Sequence, residues 1–130
     1  MQSTLHRIHP PAAARRFFED KLAFTTGPIE LERWIKTGED NLVIVDVREA
    51  EEFAAGHIKG ALFNPLSKFD PAKLPVAPAG KKVVVYCRSG RRSVTAMEQA
   101  RLAGRRDVDT HFGGGILGWL GANLEVEKGL

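Results

Sequence analysis

A chain of 130 residues suits one domain, long enough to bury roughly two-thirds of its unfolded surface in a single core. With 43% hydrophobic and 27% charged residues it is neither a disordered segment nor a coiled coil. A formal net charge of +3, without a basic block or aromatic-basic interleaving, gives no reason to expect a nucleic-acid partner.

One cysteine cannot make an intrachain disulfide, so the chain is not a stapled secreted scaffold. The N-terminus, "MQSTLHRIHPPAAARRFFEDK", lacks the apolar core of a signal peptide. The stretch "GGGILGWLGANL" is too short and too rich in glycine to span a membrane. The expectation is a soluble cytoplasmic protein with no membrane partner.

In chain order, residues 11–24 place Ala14, Phe17, Phe18 and Leu22 on one face of an amphipathic helix. Thr26-Gly27-Pro28 breaks it, and Pro28 opens a second helix with Leu31, Trp34 and Ile35 inward and Gly38 as its stop. "LVIVDV" (42–47) is almost continuously apolar, as in a parallel strand buried on both faces. "REAEEFAAG" reads as a short helix ended by Gly56, and "GALFN" as another strand. Residues 64–80 carry four of the seven prolines and read as an irregular crossing. "KKVVVYC" is the second strong strand. "SVTAMEQARLAG" is a helix with Val94, Met97, Ala100 or Arg101, and Leu102 near one face, closed by Gly104. "VDTHF" supplies a last strand, "GGGILGWL" turns into a short helix, and Trp34 and Trp119 read as core. Alternating strands and helices predict an α/β fold with a parallel sheet and helices on both faces.

In such sheets ligands bind beyond the carboxyl ends of the strands. Cys87 ends one strong strand, and Asp46 and Arg48 end the other, so all three fall on one edge. Arg88-Ser89-Gly90-Arg91-Arg92 follow the cysteine, and Ser93 is expected to open the helix. A tight strand-to-helix loop turns its backbone N–H groups inward, and the helix N-terminus adds unpaired donors and positive dipole. Gly90 permits a conformation that other residues resist. A thiolate in that cradle is favoured over the thiol. From 88 to 106 there are six arginines and one acidic residue, Glu98, a field that draws small anions. Arg88, Arg91 and Arg92 are candidates to hold an anionic ligand. Asp46 and Arg48 read as a supporting ion-pair network, His57 as a hydrogen-bonded structural residue, and Gly113, Gly114 and Gly115 as a tight turn near this edge. The pairs Arg15-Arg16 and Arg105-Arg106 read as solvated. His6 and His9 have no accompanying ligand cluster, so no metal site is expected.

Three blocks, "DVREAEEFAAGHIKGALFNPL", "VVVYCRSGRRSVTAMEQARLAG" and "FGGGILGW", together resemble the successive signatures of the rhodanese-like sulfurtransferase domain, over about residues 28 to 128. The resemblance implies a sheet of about five parallel strands flanked by helices, with an active loop of Cys87, Arg88, Ser89, Gly90, Arg91, Arg92 and Ser93. Residues 1–27 would then be a helical extension packed on a domain of residues 28–130, or a surface that meets a second subunit in a homodimer. The implied chemistry is a Cys87 persulfide formed from a small anionic donor such as thiosulfate and discharged to cyanide, a thiol or an acceptor protein, with no cofactor. Arg92 matches the arginine that pins the loop by pairing with a carboxylate, Glu52 or Asp46. Two other functions fit the resemblance less fully. One is a non-catalytic interaction module. The other is a cysteine phosphatase or arsenate reductase, whose arginine lies one position further from the cysteine, where this chain has Ser93.

Overall fold

The structure is a computed structural model, and it describes residues 12, 15, 16, 25–37, 42–75 and 82–130. Strand β1 (Thr25–Thr26) leads into helix α1 (Pro28–Lys36), then β2 (Leu42–Asp46), α2 (Ala50–Ala55) and β3 (Leu62–Phe63). Two 3-10 turns, Leu66–Lys68 and Pro71–Lys73, begin the crossing to β4 (Lys82–Tyr86). Helix α3 (Arg91–Leu102), β5 (Thr110–Phe112) and α4 (Gly115–Gly121) complete the order. The five strands form one sheet in the order β1-β5-β4-β2-β3, and every pairing is parallel.

The apolar strands are explained by burial on both sides. Val43, Val45, Val47, Val83, Val85 and Cys87 face α3 with Ala96 and Ala100. Ile44, Val84, Tyr86 and Phe112 face the other way, onto Leu31 of α1 and Ile116 and Trp119 of α4. Each fully buried side chain of this kind contributes about 1.5–3 kcal/mol relative to exposure. The expected α/β class, with helices on both faces, is the observed one. Its loop-rich stretch is held from outside: the guanidinium of Arg105 donates to the carbonyls of Pro71, Leu74 and Pro75 at 3.0, 2.9 and 2.7 Å. Arg105 also pairs with Asp107, so it is a staple rather than a solvated charge.

Three local expectations change. Thr26, expected as part of a break, instead forms with Thr25 an edge strand that registers Thr25 with His111 and Thr26 with Phe112. Two residues are too few to display a period of two. Helix α3 begins at Arg91, two residues before Ser93, because Gly90 turns the chain with φ 101°. Its inward face is Ser93, Ala96 and Ala100, while Val94 and Leu102 are 51% and 81% exposed. Small residues let the helix approach the sheet closely, Met97 packs at its margin, and Val94 and Leu102 are left outside. Of the helix expected over 11–24, Ala12, Arg15 and Arg16 are helical and the other residues lie outside the described ones, as does Gly38.

Candidate active site

Strands β2 and β4 are register neighbours, with Asp46 opposite Tyr86, so Cys87 and the Asp46–Arg48 segment lie side by side at the carboxyl edge of the sheet. Cys87 is 1% exposed, and its sulfur faces back into its own loop. The Gly90 amide donates to Sγ at 3.1 Å, and Ser93 Oγ lies 3.6 Å from Sγ. Burial pushes the thiol's pKa up. Hydrogen bonds from the Ser93 hydroxyl and from the amides of Ser93, Gly90 and Ser89 outweigh it, leaving the pKa below that of an ordinary cysteine.

The loop keeps this shape because backbone meets backbone around it. A Cβ on Gly90 would stand 2.6 Å from the Gly113 carbonyl oxygen. A Cβ on Gly115, where φ is +61°, would collide with the carbonyls of Cys87 and Arg88. Ile116 N–H donates to the Cys87 carbonyl at 2.9 Å, and Leu117 N–H to that of Arg88 at 3.2 Å. The turn at Gly113–Gly115 therefore abuts the active edge, as expected, and locks the loop from below.

The predicted residues divide into two groups. Arg88, Ser89 and Arg91 are exposed at the loop's outer surface. The side chains of Arg88 and Arg91 have no hydrogen-bond or ion-pair partner among the described residues. Arg92 is turned inward: its two terminal nitrogens meet the two oxygens of Glu52 at 2.6 and 2.9 Å. Of the two carboxylates that could pair with it, Glu52 is the partner. Arg92 holds the Glu52 carboxyl down to about 2, and Glu52 in turn raises the Arg92 pKa. Glu52 also accepts the Glu49 N–H at 3.1 Å, capping α2.

Asp46 is already occupied. It accepts the Arg48 amide at 2.9 Å and the Arg48 guanidinium at 3.1, 3.1 and 2.8 Å, and Arg48 also donates to the Gly56 carbonyl at 2.6 Å. Both residues are buried. His57 is hydrogen-bonded, as expected: its Nδ1 lies 2.9 Å from the Phe53 carbonyl and its ring stacks on Phe53 at 3.7 Å. Beside Arg88 a cleft of about 360 Å³ opens, with Ile116, Leu120 and Val126 as apolar wall and Glu52 at its polar side.

One further residue of the site carries no motif. His111 on β5 places Nδ1 3.0 Å from Ser93 Oγ. Its register partner in β4 is Val85, which faces α3, so alternation along β5 directs His111 toward the same helix. No local pattern in "VDTHF" marks it; the register with Val85 does.

The cradle, the exposed guanidinium groups of Arg88 and Arg91 and the pinned Arg92 can hold a thiolate and bring a small anion to it. The family that matches this chain is the rhodanese-like domain, over residues 28–122. An uncharacterised protein of Synechocystis is 43% identical over 90 residues, 69% of this chain, and the match spans 49% of that protein, so the chain covers about half its length. A sulfurtransferase of Allochromatium vinosum is 33% identical over 87 residues, covering 67% of this chain and 79% of that one. Among solved structures, a Bacillus halodurans protein superposes with a TM-score of 0.74 at 31% identity, over 92% of this chain and 87% of that one. On the match across residues 28–122 and the sheet and loop that carry it, the chain belongs to the rhodanese-like domain family.

Proposed function

We propose that the protein is a sulfurtransferase working through a persulfide on Cys87. The observation that carries this reading is the sulfur itself, held by the Gly90 amide and the Ser93 hydroxyl with its pKa depressed despite burial. In the first half-reaction the Cys87 thiolate attacks the outer sulfur of thiosulfate. The sulfur–sulfur bond of the donor breaks, sulfite leaves with the bonding pair, and Cys87 carries a persulfide anion. In the second, cyanide, a thiolate or a partner protein's cysteine attacks the terminal sulfur and the Cys87 thiolate is restored. The loop amides serve both anions, so neither step requires a metal or organic cofactor. Arg88 and Arg91 draw the dianionic donor, since charge-assisted contacts are the stronger kind. A reactive single thiol suits a reducing compartment, the cytoplasm.

A phosphatase reading is disfavoured by loop length. A phosphate ester presents several oxygens to be bound at once, and the related phosphatases use a loop one residue longer. Ser93 stands where their arginine would be.

The test is intact-mass measurement after exposure to thiosulfate and, separately, to 3-mercaptopyruvate. Wild type gains one sulfur atom, more readily from thiosulfate, and loses it to cyanide, whereas Cys87→Ser gains none. A sulfur adduct on Cys87→Ser, or Cys87-dependent hydrolysis of an aryl phosphate in place of sulfur uptake, overturns the proposal.

A further inference from the structure

The Ser93 hydroxyl has one proton and three acceptors within reach. Cys87 Sγ lies at 3.6 Å, the Gly90 carbonyl at 3.1 Å, and His111 Nδ1 at 3.0 Å. Ser93 is fully buried, so water does not share these bonds. Where the proton goes depends on the imidazole. If Nδ1 is bare, it competes for the hydroxyl proton, and the sulfur loses a donor. If Nδ1 carries a hydrogen, it donates to Oγ. The hydroxyl proton is then left to choose between a neutral carbonyl and a thiolate, and the charged acceptor wins.

We propose that His111 is a positioning residue of this site: its Nδ1–H donates to Ser93 Oγ and turns the Ser93 hydroxyl proton onto the Cys87 thiolate. The inference rests on the sulfurtransferase reading for its purpose, but the chain of hydrogen bonds stands on its own geometry. His111 reaches the cysteine only through Ser93. The strand neighbours in register with it are Thr25 on β1 and Val85 on β4, neither of which titrates at ordinary pH. On α3 it meets Ser93, while Arg92 of the same turn is committed to Glu52. Burial alone lowers the His111 pKa, which favours the neutral ring near neutral pH and makes the tautomer the controlling variable. Protonating the ring at lower pH leaves the Nδ1–H in place, so the sulfur keeps its hydroxyl donor there.

The experiment is the pH dependence of Cys87 alkylation by iodoacetamide, which requires no sulfur donor. His111→Leu shifts the profile upward by roughly half to one pH unit, the order expected when a hydrogen bond to a charged group is weakened. Ser93→Ala shifts it at least as far. Adding His111→Leu to Ser93→Ala produces no further shift, because the histidine acts through the hydroxyl. His111→Asn, whose amide N–H can stand at the Nδ1 position, restores a profile close to wild type. An unchanged profile in His111→Leu, or an additive shift in the double variant, overturns the proposal. Nitrogen-15 shifts of wild-type His111 provide a measurement free of any folding defect: a neutral ring protonated at Nε2 alone also overturns it. If the alkylation pattern holds while wild-type Cys87 takes up no sulfur from thiosulfate, the positioning role stands and the sulfurtransferase reading fails.

Discussion

Two loops leave the same edge of the sheet from adjacent strands, and they use their polar groups in opposite ways. After β2, Asp46 and Arg48 are both buried and bind each other, and Nη2 of Arg48 also donates to the Gly56 carbonyl. After β4, the backbone turns its donors onto the Cys87 sulfur, while Arg88 and Arg91 face solvent without a partner among the described residues. A buried ion pair offsets its desolvation only when its geometry is good and its other hydrogen bonds are filled. The β2 loop meets that condition and so forms a wall. The β4 loop leaves positive charge unmatched among the described residues, which is what a binding site for an anion requires. Charge at a sheet edge is therefore a poor guide to function until its pairing is known.

The largest effect should come from breaking the wall. Asp46→Ala leaves Arg48 buried without its counterion, and the expected loss is about 3–5 kcal/mol, read as a fall in the urea midpoint. Replacing both residues with apolar ones of similar volume, Asp46→Leu with Arg48→Met, should recover much of that loss. Alkylation of Cys87 in the folded fraction of the double variant should stay near wild type. If the double variant folds well but loses Cys87 reactivity, the two loops are not separable in the way described.

A smaller effect, aimed at the other loop, is expected from Gly90→Ala. The residue has φ 101°, and its new Cβ would press on the Gly113 carbonyl oxygen at 2.6 Å. The strain is on the order of 1–3 kcal/mol, and relief requires moving the amide that donates to the sulfur. Alkylation of Cys87 should slow at neutral pH, and the profile should move upward. A stable Gly90→Ala protein with unchanged alkylation would remove the loop amide from the account of the thiolate.

The sequence made the wall's residues and the cradle's residues visible but not their division of labour. Long apolar runs at 42–47 and 83–87 announce buried parallel strands, and the glycine and arginines after Cys87 announce the loop. What could not be read was pairing across the fold. Arg92 had two carboxylates within plausible reach, and only the placement of α2 beside α3 selects Glu52 over Asp46. The same limit hid His111, which becomes significant through its register with Val85 rather than through any local pattern. It also misplaced part of the inner face of α3, where close packing buries Ser93 and Ala96 beside Ala100 and leaves Val94 and Leu102 exposed. Two-residue strands such as β1 carry no period at all.

The smallest predicted effect concerns the strap between the two loops. Glu52 lies on α2, just beyond the β2 loop, and it grips Arg92 on the helix that follows the β4 loop. Glu52→Gln is the informative change, because glutamine keeps an oxygen to cap α2 while it removes the charge and the second acceptor that Arg92 uses. The Glu52 carboxyl is depressed from 4.5 to about 2, foremost by the hydrogen bonds from Arg92. A carboxylate with a depressed folded-state pKa contributes stability that is complete above its unfolded value. That contribution is lost as pH falls through the folded value. Wild type should therefore exceed Glu52→Gln at neutral pH, and the two should converge between about 4.5 and 2. Both side chains are close to one-third exposed, so solvent screening reduces the gap at neutral pH to about 1 kcal/mol. Urea midpoints of the two proteins at stepped pH check this directly. A gap that persists undiminished at the acid end would mean that the substitution acts on packing or on the α2 cap, and that the charge on Glu52 does not tie the loops together.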